Sequence, residues 1–446
     1  MRRMRAIIIG AGQVGSQIAE DLSGEHDVTV LDTDPARIDE LNHDLDVLAQ
    51  EGSGTDAAVL DEVEVDTADM VIASTDSDET NLVIAGTVKS LADAFTIARV
   101  KQEGPYRTWE RNRNAFGVDF MVCANLRTAD EVAKVIDHPS ARDVKTFVDE
   151  TVEMIEVELE EGMELIGMTV AEADEYDPLT FAGILRDGEV KMPKGDMELC
   201  AGDHLVLIGP PEAFGTFDAA IREGRGLTGD VIIAGATEIG QKVAQKLSSE
   251  HDHIVLIEPD EELATEAAEE LAETVVMAAD PTDKDVLEET NVGEASVVIA
   301  TMPSDERNLL VSLLAKRIGV ERTIAVIDRQ EYLELFEEVG IDQTMNPREI
   351  VAEEISRYTR DGPAESIAFL DADRAEVIEI TAGDDCQLVG LPLHTYEQEV
   401  GARLVVGAIV RDGEYITPRG DAEIAVGDQV VLFLDTADRE MIDAVL

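Results

Sequence analysis

The chain repeats itself, and that repeat limits what it can fold into. Gly10-Ala11-Gly12-Gln13-Val14-Gly15 returns 225 residues later as Gly235-Ala236-Thr237-Glu238-Ile239-Gly240. Ser77-Asp78-Glu79-Thr80-Asn81-Leu82 returns as Ser304-Asp305-Glu306-Arg307-Asn308-Leu309. Gly117-Val118-Asp119 returns as Gly340-Ile341-Asp342, and Arg186-Asp187-Gly188-Glu189 as Arg411-Asp412-Gly413-Glu414. Internal similarity over so much of the chain marks a duplicated unit. Each copy has a large part followed by a small one. The expected divisions are 1–140, 141–225, 226–362 and 363–446, with Gly224-Arg225-Gly226-Leu227-Thr228-Gly229 as a linker.

The large parts alternate apolar strands with helical spacing. Ile7-Ile8-Ile9, Val28-Thr29-Val30-Leu31, Val47-Leu48-Ala49, Met70-Val71-Ile72-Ala73, Thr96-Ile97-Ala98-Arg99-Val100 and Gly117 to Val122 read as six strands. Strands and helices at this pitch predict a doubly wound parallel sheet of Rossmann type. The small parts read differently. Ile155-Glu156-Val157-Glu158-Leu159 alternates, as a half-exposed strand does. Gly183 to Val190 carries Asp187-Gly188 at a hairpin turn, where positive φ is needed. The fold class is therefore α/β: duplicated Rossmann-like sheets, each followed by a small α+β unit.

In the first copy the glycine turn lies between two apolar strands and opens a helix. Gly10 permits the tight turn, Gly12 leaves the backbone open to a pyrophosphate, and Gly15 lets the helix approach the strand. A helix N-terminus offers free N–H groups to phosphate. Asp32 follows Gly12 by the spacing of a carboxylate that bonds ribose hydroxyls. That carboxylate favours NAD over a 2′-phosphorylated cofactor. Ligands of such sheets sit at the carboxyl ends of strands, which puts Ser74, Thr75 and Arg99 on the same rim. Arg99 reads either as a phosphate counter-charge or as a surface arginine capping its strand. The candidate nucleotide-binding residues are thus Gly10, Ala11, Gly12, Gln13, Val14, Gly15, Asp32, Ser74, Thr75 and Arg99.

The second copy offers Gly235, Ala236, Thr237, Glu238, Ile239, Gly240, Glu258 and Thr301. Thr237 replaces Gly12, and a β-branched residue there narrows the approach to the backbone. Val326 replaces Arg99. A second site is expected to be weaker or altered.

Charge narrows the partners. With 97 acidic and 35 basic residues the formal net charge is −62. Such a surface repels itself unless salt screens it, and only ten of the basic residues are lysine. The composition suits a soluble protein from a high-salt cytoplasm and disfavours nucleic acid as a partner. No apolar run reaches the length of a membrane span, and Met1-Arg2-Arg3-Met4-Arg5 runs straight into a core strand, unlike a signal peptide. Cys123, Cys200 and Cys386 match no metal or redox spacing. No Tyr-x-x-x-Lys is found, and the seven histidines do not recur between the copies. No catalytic residue is assigned and no metal is expected. Duplication of all four units favours a ligand-binding sensor over an oxidoreductase.

The glycine loop, Asp32, the Thr75-Asp76-Ser77-Asp78-Glu79-Thr80-Asn81-Leu82 run, Gly117-Val118-Asp119 and the paired Arg-Asp-Gly and Gly-Asp turns resemble the TrkA family. These are the peripheral NAD-binding regulators of Trk-type potassium uptake systems, with tandem RCK domains. The resemblance spans nearly the whole chain. It implies a cytoplasmic protein that binds NAD(H), or alternatively ATP or ADP. It implies a homo-oligomer, dimeric or tetrameric, held at the inner face of the membrane by a TrkH-like potassium-translocating subunit, with no insertion of its own. Regulation of a different ion transporter and NAD-dependent oxidoreduction are the alternatives.

Overall fold

A computed structural model describes residues 3–436, apart from 25, 114, 138–140, 149–150, 160–161, 174–175, 187, 222–229, 249–252, 291, 362–366, 371–373, 384–385, 394–395, 397–402 and 421. The 224–229 linker, Asp187, Asp421, His394 and the joints expected at 140, 225 and 362 fall on these omitted positions or beside them, outside the described residues.

The chain forms two compact units. One contains residues 1–133 with 229–360, and the other residues 134–228 with 361–446. The first unit holds both large repeats. In the first repeat, six parallel strands stand in the order Leu48–Glu51, Asp27–Asp32, Arg5–Ile9, Met70–Ala73, Phe95–Val100, Phe120–Cys123. The order reverses beside Arg5–Ile9, the strand that leads into the glycine turn, so a crevice opens there. The second repeat copies this order with Thr274–Ala278, Ile254–Glu258, Val231–Ala234, Val297–Ala300, Arg322–Val326 and Gln343–Met345. Ile7, Ile8, Val30, Ile72 and Ile97 are fully buried, as a parallel sheet covered on both faces requires.

The sixth strand begins later than its sequence suggests. Gly117 has φ +68° and Phe116 φ +61°, which end a short turn and not a strand. Asp119 then uses its carboxylate to accept the Thr96 N–H at 2.7 Å, and the strand starts at Phe120.

The helix Pro347–Asp361 closes the second repeat in sequence but covers the sheet of the first. Its Val351, Ala352 and Ile355 are buried with Ala6, Ile8, Val30 and Val122. Tyr358 stacks on Phe120 with ring centroids 4.0 Å apart and on Phe95 at 5.7 Å. The corresponding helix of the first repeat, Ala124–Asp137, answers it: Arg127 pairs with Glu354 at 2.9 Å, and Asp130 with Lys246 at 2.6 Å. The closing helix of the second repeat therefore crosses to the first sheet, and ion pairs from Ala124–Asp137 tie the two Rossmann-type domains further.

The second unit contains two five-stranded antiparallel sheets. One has Ala141–Phe147, Val152–Glu158, Thr180–Arg186, Glu189–Lys191 and His204–Gly209; the other has Ile367–Leu370, Ala375–Thr381, Leu404–Arg411, Glu414–Ile416 and Gln429–Asp435. Met154, Ala182, Val206 and Ile208 share one core with Val377, Ala408, Val431 and Phe433. Gly183 sits under Phe433, where a Cβ would lie 2.2 Å from the ring. Asp412 and Gly413 both have positive φ, at +53° and +81°, as the hairpin turn demands. Among the described residues no helix is long and apolar enough to cross a membrane.

Candidate functional site

The first glycine turn is built for an open helix end. Gly10 has φ +110°, and a Cβ there would stand 2.8 Å from the Thr75 nitrogen. Its N–H donates to Leu31 O at 2.8 Å, fastening the turn to the second strand. Gly12 is the N-cap of helix Gln13–Ser23 and brings no side chain to cap it, and no acidic residue stands in the first turn. The first N–H groups and the positive helix end are therefore available to an anion. Gly15 has a packing role: a Cβ there would lie 1.8 Å from Gly10 O.

Asp32 ends the second strand beside this turn. Its Oδ2 accepts the Ala11 N–H at 2.6 Å and its Oδ1 accepts the Asp34 N–H at 2.8 Å. The carboxylate is thereby fixed at the crevice, with Arg37 3.7 Å away. Gly10 to Gly15 and Asp32 thus come together as the spacing predicts. Ser74 is buried and donates to Gly10 O at 3.2 Å, so it fastens the turn from below. Thr75 donates its hydroxyl to Asn81 Oδ1 at 2.7 Å. Asn81 then donates to Thr75 O at 3.0 Å and Arg99 O at 2.8 Å, tying the ends of two strands. Asn308 makes the same ties to Met302 O and Val326 O in the second repeat. The repeated Asn was the sequence signal for this brace.

The second turn keeps the backbone and loses the opening. Gly235 again has φ +110°, and Glu258 accepts the Ala236 N–H at 2.7 Å, as Asp32 does for Ala11. Thr237 now caps the helix Glu238–Leu247. Its hydroxyl accepts the Gly240 N–H at 3.2 Å and donates to Thr301 O at 2.9 Å. Thr301 is buried and donates to Gly235 O at 3.0 Å, repeating Ser74. Ile239 and Gly240 are buried in the helix. Arg307 and Asp280 form an ion pair at 2.6 Å where the first repeat has Thr80 and Ser53.

The first side chain of each loop helix reaches into the other domain. Gln13 donates to Gln330 Oε1 at 3.1 Å and accepts from Arg348 at 3.3 Å. Glu238 accepts the Glu103 N–H and the Asn125 amide, both at 2.7 Å. Lys242 pairs with Glu103 at 2.9 Å. Burial raises the Glu103 carboxyl, but its bonds to Lys242 and Arg107 outweigh this and leave it below the usual carboxylate range.

A cavity of about 190 Å³ lies at this junction, bordered by Arg99, Lys101, Asn125, Glu238, Asp305 and Arg348 among others. Arg99 is only 3% exposed, so it is not a surface cap, and it faces the second domain. Burial pushes the Cys123 thiol up to about 12, which leaves no nucleophilic thiolate there at neutral pH. Among the described residues no group of three His, Cys, Asp or Glu side chains could hold a metal ion.

Two Rossmann-type domains joined by a crossing helix, each followed by an antiparallel domain, define a tandem RCK-type architecture. TrkA-N domains match residues 6–124 and 231–347, and a TrkA-C domain matches 154–222. The chain belongs to the TrkA family. It is 35% identical over 441 residues to Trk system potassium uptake protein TrkA homolog 1 of Methanosarcina mazei, covering 96% of this chain and 97% of the relative. It is 32% identical to Trk system potassium uptake protein TrkA of Halomonas elongata, covering 97% and 96%. In fold it is similar to the GsuK RCK domain, with TM-score 0.61 and 19% identity over 99% of this chain and 95% of that one. The GsuK channel bound to NAD has TM-score 0.62 at 19% identity, covering 99% and 79%.

Proposed function

We propose that this chain is the nucleotide-responsive regulatory subunit of a Trk-type potassium uptake system. The observation that carries the reading is the uncapped helix end at Gly12 beside the fixed carboxylate of Asp32. Residues 1–140 and 226–362 are the nucleotide-fold domains, and 141–225 and 363–446 their small companions. The pyrophosphate of NAD(H), or the phosphates of ATP or ADP, would lie on the N–H groups after Gly12, with a ribose on Asp32. Gly10 and Gly15 shape the turn, while Ser74, Thr75 and Arg99 brace the rim.

The second loop has the altered site. Thr237 holds the position a phosphate would take, so Gly235 to Gly240, Glu258 and Thr301 bind nucleotide more weakly than their first-repeat counterparts. The protein is not an enzyme. It works as a homo-oligomer at the inner face of the membrane, against a TrkH-like subunit. Nucleotide shifts the domain arrangement to the extent that it prefers one arrangement over another, and that bias gates potassium entry. The sequences of the potassium uptake relatives and the NAD-bound structural neighbour support this reading.

Calorimetry in molar KCl with NADH, NAD⁺, ATP and ADP, on the native chain and Gly12→Val, tests the site. Binding lost in the variant supports it, and a folded protein that binds none of the four refutes it. Co-purification with a TrkH-like subunit tests the partner, and recovery with a different transporter in its place would favour that assignment.

A further inference from the structure

The two Rossmann-type repeats leave large apolar side chains in water at matching positions. Val83 and Phe116 in the first, and Leu310 and Val339 in the second, are each 40–53% exposed. Val83 and Leu310 hold the same place in helices Asp78–Leu91 and Asp305–Ile318. Phe116 and Val339 each precede the glycine of the paired Gly-Val-Asp and Gly-Ile-Asp turns. In the first repeat the two residues share one face. Gly86 follows Val83 by one helical turn, and a Cβ there would stand 3.7 Å from Phe116 O. In the second, Leu313 of Asp305–Ile318 packs with Leu333 and Phe336 of helix Leu333–Glu338, which sets the two helices side by side. The exposed Leu335 lies one turn before Val339, whose N–H it accepts at 3.2 Å. Exposed apolar residues gathered at equivalent places on both repeats mark a surface for association.

The charges beside the two faces are opposite. Residues 107–116 hold three arginines and one glutamate, whereas the equivalent residues 330–339 hold four glutamates and no lysine or arginine. Arg111 and Arg113 lead into Phe116, are exposed, and form no ion pair among the described residues. Arg113 is held over the Trp109 ring, 4.1 Å from its centroid. Glu331 and Glu338 are likewise exposed and form no ion pair among the described residues. The faces also differ in shape. Gly86 is exposed in mid-helix, where glycine weakens a helix relative to alanine, and no contact inside the chain is closer than 3.7 Å to a Cβ there. A partner pressed against the helix gives that glycine a purpose: the gap between Val83 and Phe116 admits a leucine such as Leu310.

We propose that the Val83–Phe116 face of one copy of this chain docks on the Leu310–Val339 face of a second copy, with Arg111 and Arg113 against Glu331 and Glu338. Like charges disfavour the two alternatives, basic face on basic face and acidic on acidic. Every chain carries both faces, so the contact is heterologous and closes when each copy gives one face and receives the other. The interface rests on the homo-oligomer of the function proposed above and is independent of nucleotide and of the membrane subunit.

The test is sedimentation of the full chain, with thermal melting to establish that each variant is folded. In molar KCl the charges are screened and apolar contact persists. Gly86→Trp, which fills the gap, should then lower the mass of the assembly. Leu310→Asp on the opposite face should do the same, and it keeps the test valid if Gly86→Trp fails to fold. In KCl lowered to about 0.3 M, where screening is weaker, Arg111→Glu with Arg113→Glu should lower the mass, as should Glu331→Arg with Glu338→Arg. Mixed in equal amounts, these two variants should regain the native mass, because each reversed face then meets its complement. Native mass kept by a folded Gly86→Trp or Leu310→Asp overturns the interface. Charge variants that keep the native mass, or whose mixture fails to regain it, overturn the pairing of unlike faces. If the native chain itself sediments as a monomer, the homo-oligomer fails and the interface with it; an oligomer that survives every variant leaves the homo-oligomer standing without this interface.

Discussion

Arg186 and Asp203 close on one another through two parallel hydrogen bonds, Nε to Oδ1 at 2.5 Å and Nη2 to Oδ2 at 2.6 Å. Arg411 and Asp428 repeat the pair in the second small domain at 2.8 and 2.7 Å. Both aspartates are 1% exposed. Each also accepts a backbone N–H, from Cys200 and from Ala425, so the carboxylate ties a turn to a strand as well as holding the arginine. Asp428→Asn would turn an amide donor against the guanidinium and cost about 1–2 kcal/mol, read from a denaturant midpoint.

The same pair gives a pH dependence. The hydrogen bonds from Arg411 hold the Asp428 carboxyl below its usual range, against burial, which raises it. A carboxyl depressed in the folded state stabilises the fold at pH values above its unfolded pKa of about 4. That contribution is lost as pH falls through the lower, folded value. Melting temperatures of the native chain should therefore drop more steeply below about pH 4 than those of Asp428→Asn. Parallel acid limbs in the two proteins would contradict this.

Gly12 and Thr237 make opposite predictions from the same position. Gly12 has an ordinary extended backbone, with φ −75°, and a Cβ would meet only Arg37 at 3.6 Å. Gly12→Thr should therefore fold, and its hydroxyl should cap the helix as Thr237 does. Stability should be unchanged or rise by about 0.3 kcal/mol. Nucleotide affinity should fall by at least about tenfold, because the hydroxyl takes the N–H groups a phosphate would use. Thr237→Ala should do the reverse, lowering stability by about 1 kcal/mol and leaving first-site affinity intact. Melting curves and calorimetry on both variants separate the two effects.

The sequence disclosed what is local and hid what is distant. Loop, helix and carboxylate from Gly10 to Asp32 fall within one strand–helix–strand unit, so spacing alone assembled them. Ser74 and Arg99 were legible as residues at strand ends, but strand ends do not tell whether a side chain faces ligand or core. Both turn inward, one under Gly10 and the other toward the second domain. The bonds from Gln13 to Gln330 and Arg348 join residues more than 300 positions apart, and no periodicity encodes them. The helix Pro347–Asp361 shows an apolar face in its sequence, but a face does not name the sheet it covers. The Arg-Asp-Gly and Gly-Asp turns were visible as repeats; that the Arg of one binds the Asp of the other required the hairpin to be folded.

Gly15 and Gly240 should behave as packing residues. A Cβ at Gly15 would stand 1.8 Å from Gly10 O, and one at Gly240 would stand 2.2 Å from Gly235 O. Backbone oxygens in a tight turn have no rotamer by which to retreat. Either alanine substitution should cost about 3 kcal/mol or force the helix away from its strand. Denaturant unfolding of Gly15→Ala and Gly240→Ala should show similar losses, even though only the first loop is assigned the stronger site. A large loss at Gly15 with none at Gly240 would mean that the two turns are not packed alike.

Tyr358 tests the crossing of its helix to the first sheet. Its ring lies flat on Phe120, 4.0 Å away, and beside Phe95, yet it comes from the second repeat. Tyr358→Ala removes a stacked aromatic from the cover of the first sheet and should cost about 3 kcal/mol. The consequence should appear in the repeat that does not contain the mutation. Amide exchange in Phe95–Val100 and Phe120–Cys123 should rise, while Val231–Ala234 in the second sheet keeps its protection. If protection falls in the second sheet and holds in the first, the helix covers its own repeat and the crossing is wrong.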